Sequence, residues 1–363
     1  MQRQEQGQEQ SQGQQEQKLE REKEQREQKP ERPIRLGLIG CGDIAVTRHL
    51  PTLQAHPDAE LVAVCDADRS RAEAAAKQFG VPGSVADHYK ELLAREDIDA
   101  VIVATPPWVT PVVAMEALRA GKHVLCEKPM AVDVETARQV QATERETGKR
   151  VQVGFTYRHG PLLETLRAWI RDGRLGSPLV FRLGIFDEVW DPTGNPEHYE
   201  RIFRTMGHGS PSVHDGAHVA DFLNFLAESK VASVDSFGLQ TRPEFPSSNY
   251  DISIIRFENG DVAKVEIGWF LPHFPKGEFE VVGPLGLAVF DRLEQYVSLR
   301  TGTVTETVRL DEDWALSCFR IQLTKFIASI RDDAPCVPGT EEGIQSLSLT
   351  KTIERGIRDR GRS

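Results

Sequence analysis

The run from Ile34 to Asp66, IRLGLIGCGDIAVTRHLPTLQAHPDAELVAVCD, constrains this chain more than any other stretch. An apolar strand (Ile34 to Ile39) enters Gly40-Cys41-Gly42-Asp43-Ile44-Ala45, a helix-like segment follows, and a second apolar strand (Leu61 to Cys65) is closed by Asp66. A G-x-G-x-x-A turn set between a strand and a helix is a cradle for a pyrophosphate. Gly40 permits the tight turn, Gly42 removes a side chain so that the backbone can approach phosphate oxygens, and Ala45 lets the helix pack close to the strand. Asp66 is placed to accept hydrogen bonds from the adenosine ribose hydroxyls and to repel a 2′-phosphate. That favours NAD, with NADP kept as the alternative because Arg69 and Arg71 lie just behind. The expected dinucleotide contacts in this region are Gly40, Gly42, Asp43, Ile44 and Asp66.

Strand and helix patterns continue to alternate. Ser84 to Ala94 reads as a helix, and DAVIVATPP (99 to 107) as a buried strand ending in a proline pair. Val112 to Ala120 reads as a helix stopped by Gly121. The strand-like KHVLCE then meets Lys128 and Pro129, Asp133 caps a helix that stops at Gly148, and RVQVGF (150 to 155) closes the series. Parallel strands linked in this way bind ligands at their carboxyl ends. Thr105, Pro106, Glu127 and Lys128 therefore share an edge with the glycine turn and are expected to face the same cofactor. Pro129 fixes the backbone after Lys128 and admits a cis bond.

After residue 154 the pattern changes. Strand-like runs at Leu179 to Ile185, Ile252 to Phe257, Val262 to Trp269, Phe279 to Val282, Leu287 to Phe290, Tyr296 to Leu299 and Thr305 to Leu310 cluster without intervening helices. They predict a mostly antiparallel sheet with a hairpin at Asn259-Gly260. One face of that sheet has helices to cover it, and the other is left for a second subunit, so a homo-oligomer is expected.

Composition narrows the partners. The formal charge is -11, with no basic stripe, which opposes nucleic-acid binding. No apolar run approaches the roughly 20 residues that span a bilayer. Cys41, Cys65, Cys126, Cys318 and Cys336 are odd in number and scattered, which suits buried free thiols and a cytoplasmic location. Residues 1 to 33 hold 11 Gln, 8 Glu and 7 Lys or Arg with almost nothing apolar, and read as a disordered tail. The remaining boundaries are 34–153 for the dinucleotide-binding domain and 154–363 for a substrate-binding and oligomerisation domain, with a final helix at about 340–360.

GSPSVHDGAHVADFLNFLAE (209 to 228) reads as one helix with Ser210 as N-cap and Pro211 at its first position. His214 and His218 lie four apart on one face, with Asp221 near them. The positive end of a helix disfavours imidazolium, so His218 is expected neutral and able to accept a proton. Proton transfer, substrate hydrogen bonding, a structural pair and a metal site all remain open for these histidines, and no metal is the favoured expectation. Tyr157 and Arg158 are expected to reach the cleft between domains. Trp108 is placed to pack against a nicotinamide or a sugar face, or simply to fill a core. Trp190 and His198 fall in a stretch read as a polar loop.

These motifs resemble the Gfo/Idh/MocA oxidoreductases, the relatives of glucose-fructose oxidoreductase and inositol dehydrogenase. The matching residues are the Gly40 to Ala45 turn, ATPP at 104 to 107, GKHVLCEKP at 121 to 129, GFTYR at 154 to 158 and HDGAHVAD at 214 to 221, and the likeness covers nearly everything after residue 33. The resemblance implies an α/β chain: an N-terminal Rossmann domain plus a C-terminal α+β domain with an open, mostly antiparallel sheet. It also implies hydride transfer between NAD(P) and a sugar, cyclitol or related polyol. Carried over, Glu127 contacts the cofactor. Lys128, with His218 and His214, handles the proton of the reacting hydroxyl, and Tyr157, Arg158, Asp215 and Trp108 bind substrate. A lysine beside a nicotinamide cation is pushed toward its neutral, proton-accepting form. Many members place an aspartate four residues before the histidine, where this chain has His214, with Asp215 one place later. One residue turns a helical side chain by about 100°, so Asp215 is not expected to stand in for it. Two other functions fit the same scaffold. One is redox-neutral sugar modification by transient oxidation on a tightly held NAD, and the other is non-catalytic dinucleotide sensing.

Overall fold

The structure, a computed structural model, describes residues 32–81, 85–86, 88–275 and 279–360. The tail expected over 1–33 therefore lies almost entirely outside the described residues.

From the N-terminus, β1 (Ile34–Ile39) runs into the glycine turn, a π-helical turn (Ala45–His49) and α1 (Leu50–Ala55). There follow β2 (Ala59–Cys65), α2 (Arg69–Phe79), β3 (Val85–Ala86), α3 (Tyr89–Leu93), β4 (Ala100–Val103), α4 (Thr110–Arg119), β5 (His123–Cys126), α5 (Val134–Thr147) and β6 (Val151–Val153). These strands form one six-stranded parallel sheet in the order β3-β2-β1-β4-β5-β6. Every residue of β4 is buried, as a central parallel strand covered on both faces must be. α5 begins at Asp133, whose carboxylate accepts from the Thr136 N–H at 2.7 Å, and ends where Gly148 turns left-handed at φ +65°. The helix expected over Ser84–Ala94 is shorter: β-branched Val85 and Ala86 pair with the edge of β2, and the helix starts only after His88.

The second half contains a 3-10 turn (Thr156–His159), α6 (Pro161–Arg171), β7 (Val180–Asp187), α7 (Pro196–Met206), α8 (Pro211–His214), α9 (Gly216–Ala227) and β8 (Val231–Leu239). It continues through β9 (Tyr250–Phe257), β10 (Val262–Trp269), β11 (Phe279–Val282), β12 (Leu287–Asp291), β13 (Tyr296–Thr301), β14 (Val304–Arg309), α10 (Trp314–Arg331) and α11 (Thr340–Arg360). Its eight-stranded sheet has the order β14-β13-β12-β11-β7-β10-β9-β8, and only the β7–β10 pair is parallel. The fold is thus α/β, a Rossmann-like sheet joined to a mixed, mostly antiparallel one. The helix expected from 209 to 228 is interrupted at Asp215, and the stretch read as a polar loop around His198 contains α7.

Leu163, Phe181, Leu223 and Val265 fill the core between α6, α9 and the inner face of the second sheet. Leu323, Phe326 and Ile327 of α10 pack instead with Leu36, Leu38 and Ile102 of the first. The C-terminal helices therefore contribute to both layers and fix the cleft between them. Lys128–Pro129 is cis, as are Ser177–Pro178 and Val337–Pro338. All five cysteines are buried and outside any disulfide, and no helix among the described residues is long and apolar enough to cross a membrane.

Candidate active site

Four backbone hydrogen bonds lay the strand ends side by side. Gly40 N–H donates to Cys65 O, Ala104 N–H to Ile39 O, Glu127 N–H to Val103 O and Gly154 N–H to Cys126 O, all at 2.8 to 2.9 Å. Strand order reverses at β1, so this rim is the topological switch point where an open parallel sheet holds its ligand. Gly40 has φ +97°, and a Cβ there would lie 2.4 Å from Ala104 O, so protein geometry alone demands glycine. Gly42 is different: a Cβ would meet nothing within 4 Å. The open space in front of it is what a pyrophosphate needs. Asp66 holds the turn by accepting from Cys41 N–H at 2.7 Å, and it also accepts from Asp68 N–H at 2.8 Å. Ile44 and Pro106 are exposed beside the turn, and Thr105 is half-buried and shares a hydrogen bond with Thr110. These residues fit a dinucleotide along the rim, with open space at Gly42 and a carboxylate at Asp66.

Glu127 and Lys128 leave the end of β5 in different directions. Glu127 Oε1 meets His49 Nε2 at 2.7 Å, and His49 in turn lies edge-on to Phe319. Gly154 makes room for this carboxylate, since a Cβ there would come within 3.1 Å of Glu127 Oε2. Lys128 Nζ donates to Asp215 Oδ1 at 3.2 Å, and Asp215 Oδ2 accepts from Trp269 Nε1 at 2.6 Å. Burial pulls the Lys128 ammonium down, but the carboxylates of Asp215 and Glu127 outweigh it and hold the pKa above its ordinary value. The side chain's own surroundings thus oppose the drift toward a neutral amine expected from sequence.

The expectation that Asp215 would not stand in for an aspartate at position 214 rests on one continuous helix, and that premise is corrected. Because the helix breaks at Asp215, this residue closes α8 and precedes α9, and its carboxylate reaches Lys128 directly. His218 follows in the first turn of α9, its ring 5.0 Å from that of Tyr157. Burial, then the Lys128 charge, lowers the His218 pKa well below the ordinary value, so the imidazole is neutral. Its Nδ1 has no hydrogen-bond partner among the described residues. His214 is buried against Trp269 with ring centroids 5.5 Å apart, and burial lowers its pKa to about 4. Tyr157 packs among His218, Phe222 and Trp314, with its hydroxyl proton held more tightly by burial.

Two expected substrate residues are otherwise engaged. Arg158 forms a two-pronged pair with buried Asp221 and lies over Phe225, so its guanidinium is spent inside the protein. Trp108 stacks on His208 at 3.9 Å, which places it against the loop after α7. No group of three or more His, Cys, Asp or Glu gathers as a metal would require among the described residues.

Sequence reasoning missed Asp187 and Glu188 at the end of β7. Burial, then the Asp215 charge, raises the Asp187 pKa, and Lys128 works in the opposite direction. Glu188 has φ +56° and contacts His198. A DE pair immediately after an apolar strand was the available signal.

The model of an oxidoreductase family with an NAD-binding Rossmann fold, Gfo/Idh/MocA, matches residues 34–155, and the C-terminal-domain model of the same family matches 163–289. An inositol 2-dehydrogenase from Rubrobacter xylanophilus is 27% identical over 333 residues, covering 90% of this chain and 91% of its own. Two solved structures share the fold, each covering 90% of this chain and 98% of its own. A 3-ketoreductase from Actinomadura kijaniata, in complex with NADP and TDP-benzene, has a TM-score of 0.76 at 24% identity. Levoglucosan dehydrogenase, in complex with NADH and levoglucosan, has a TM-score of 0.80 at 21% identity. Together with the glycine turn, the rim it shares with Lys128 and the two sheets, these matches establish that the chain belongs to the Gfo/Idh/MocA oxidoreductase family.

Proposed function

We propose that this protein is an NAD(P)-dependent oxidoreductase acting on a neutral polyol, a sugar or cyclitol, or on the corresponding ketone. The observation that carries this reading is Lys128, which follows the end of β5 on the rim shared with the glycine turn and whose ammonium is kept charged by Asp215. A bound nicotinamide supplies the hydride acceptor or donor, which no side chain can provide. Lys128 holds a proton at the substrate oxygen: it donates to a carbonyl in reduction and stabilises developing alkoxide charge in oxidation. His218, neutral and with a free ring nitrogen, is the nearby group suited to accept a proton. Glu127, fixed by His49, lines the cofactor side of the cleft.

Asp187, Glu188 and Asp215 gather close enough to feel one another's charge, with Lys128 beside Asp187 and Asp215. Such groups welcome hydroxyl donors and oppose a substrate carboxylate or phosphate at the same position. The buried thiols suit a reducing cytoplasm, and the outer face of the second sheet, with half-buried Ile252, Ile254 and Val262, suits contact with a second copy. The test is an NAD(P) reduction screen across cyclitols, neutral sugars and sugar acids. Net nicotinamide reduction with a neutral polyol supports the reading. Turnover of a sugar without net change in nicotinamide would replace it with the redox-neutral reaction.

A further inference from the structure

Helix α7 belongs to the substrate side of the molecule. Ile202, Met206, Tyr199 and Phe203 pack it into an aromatic cluster with Phe245, Trp269 and Phe270. Its opposite, charged face crosses to the dinucleotide turn. Arg201 donates to Asp43 Oδ2 at 2.8 Å, and Glu197 Oε1 accepts from Arg71 Nη2 at 2.5 Å. The stacking of His208 on Trp108, just beyond the helix, gives a third contact across the same gap.

The Arg71 contact bears on the cofactor. Arg71 stands in the first turn of α2, the helix that follows Asp66, where the helix dipole favours anions and disfavours a cation. It is the kind of residue that a ribose 2′-phosphate would recruit. Two carboxylates already attend it: Asp68, the N-cap of α2, at 3.6 Å, and Glu197 at 2.5 Å. Glu197 is held by the start of its own helix, in which Asn195 caps the His198 N–H and Pro196 takes the first position.

Resting on the NAD(P)-dependent reading above, we propose that Glu197 is a cofactor-specificity residue, acting from the substrate side by occupying Arg71 and withholding it from the 2′-phosphate of NADP. Asp66 disfavours the phosphate directly, whereas Glu197 removes its counter-ion. The pair is solvent-exposed, so the expected effect is modest.

The experiment is fluorescence titration of the full-length protein with NADH and NADPH, for wild type, Glu197→Ala, Arg71→Ala and the double variant. Circular dichroism confirms that each is folded. Glu197→Ala should tighten NADPH binding about 2- to 5-fold, with NADH affected less than about 2-fold. In the Arg71→Ala background the same substitution should produce no gain. An unchanged NADPH to NADH ratio in Glu197→Ala overturns the proposal. So does a gain that persists without Arg71, because it would reflect removal of a negative charge in general. Failure of wild type to bind either dinucleotide would overturn the functional reading itself, and this inference with it.

Discussion

Asp215 sets the charge state of Lys128. The ammonium is partly buried, and burial alone would favour the neutral amine, but Asp215 Oδ1 at 3.2 Å and the nearby Glu127 reverse the balance. Lys128→Ala should lower kcat by about 10²- to 10⁴-fold, the usual range for a positioned proton donor, in steady-state assays with the best polyol. Asp215→Asn should act differently. It keeps the hydrogen bond to Trp269 sterically possible but removes the charge, so the Lys128 pKa falls and the alkaline limb of the kcat/KM profile moves to lower pH. A limb that stays in place would assign that titration to another group. The Glu127-Lys128 dyad was readable in sequence because a buried strand that stops abruptly in charge has few other reasons to do so. Asp215's reach was not readable. A turn of about 100° per residue holds only along an unbroken helix, and the helix breaks at Asp215. His49 was missed for a related reason, since its meaning comes from Glu127, far away in the chain.

The glycine turn offers a test at the level of an element, because its two glycines are required by different things. Gly40 is dictated by the protein: φ is +97° and a Cβ would strike Ala104 O at 2.4 Å. Gly40→Ala should therefore cost about 2–4 kcal/mol in urea unfolding, through strain and displacement of β4. Gly42 faces open space, so Gly42→Ala should leave unfolding within about 0.5 kcal/mol. It should nevertheless weaken dinucleotide binding by about tenfold or more, equivalent to about 1.4 kcal/mol, in the same fluorescence titration. If Gly42→Ala binds normally, the pyrophosphate lies elsewhere. This motif was legible because strand, turn, helix and acid follow one another within the sequence. Other elements were less so. β8 carries Ser233, Asp235, Ser236 and Gly238 among its apolar residues and pairs at the sheet edge, so its alternation is weak. α7 was masked by its charges, although Tyr199, Ile202, Phe203 and Met206 have helical spacing and form its packed face.

Across the whole molecule, buried histidines tie stability to pH. Burial lowers His214 and His123 to about 4 and His159 to about 3, from an ordinary 6.5. Above pH 6.5 these groups are neutral in both folded and unfolded chains and cost nothing. As pH falls below 6.5 the unfolded chain takes up protons that the folded one refuses, so stability drops, and the loss is complete only near the folded values. His214 alone would account for on the order of 3 kcal/mol across that window. Asp221, raised to about 6 by burial against the opposing pull of Arg158, works the other way, because its contribution is greatest at low pH and is lost as pH rises through 6. Asp187, Glu188, Glu144 and Asp251, raised by burial as well, work the same way as Asp221. His218, lowered well below its ordinary value, joins the three histidines, and the larger histidine shifts prevail. These histidines lie in both layers: His123 opens β5, His159 ends the turn before α6, and His214 closes α8 beside the cleft. Acid should therefore loosen the two sheets together rather than release one. The expected outcome is a single urea transition whose midpoint falls steadily from pH 7 to pH 4.5, coincident by tryptophan fluorescence and circular dichroism. His214→Gln should flatten that fall. A midpoint independent of pH over this range would mean that these imidazoles are solvated in the folded protein, and separate transitions for the two probes would mean that the layers are not joined by the C-terminal helices.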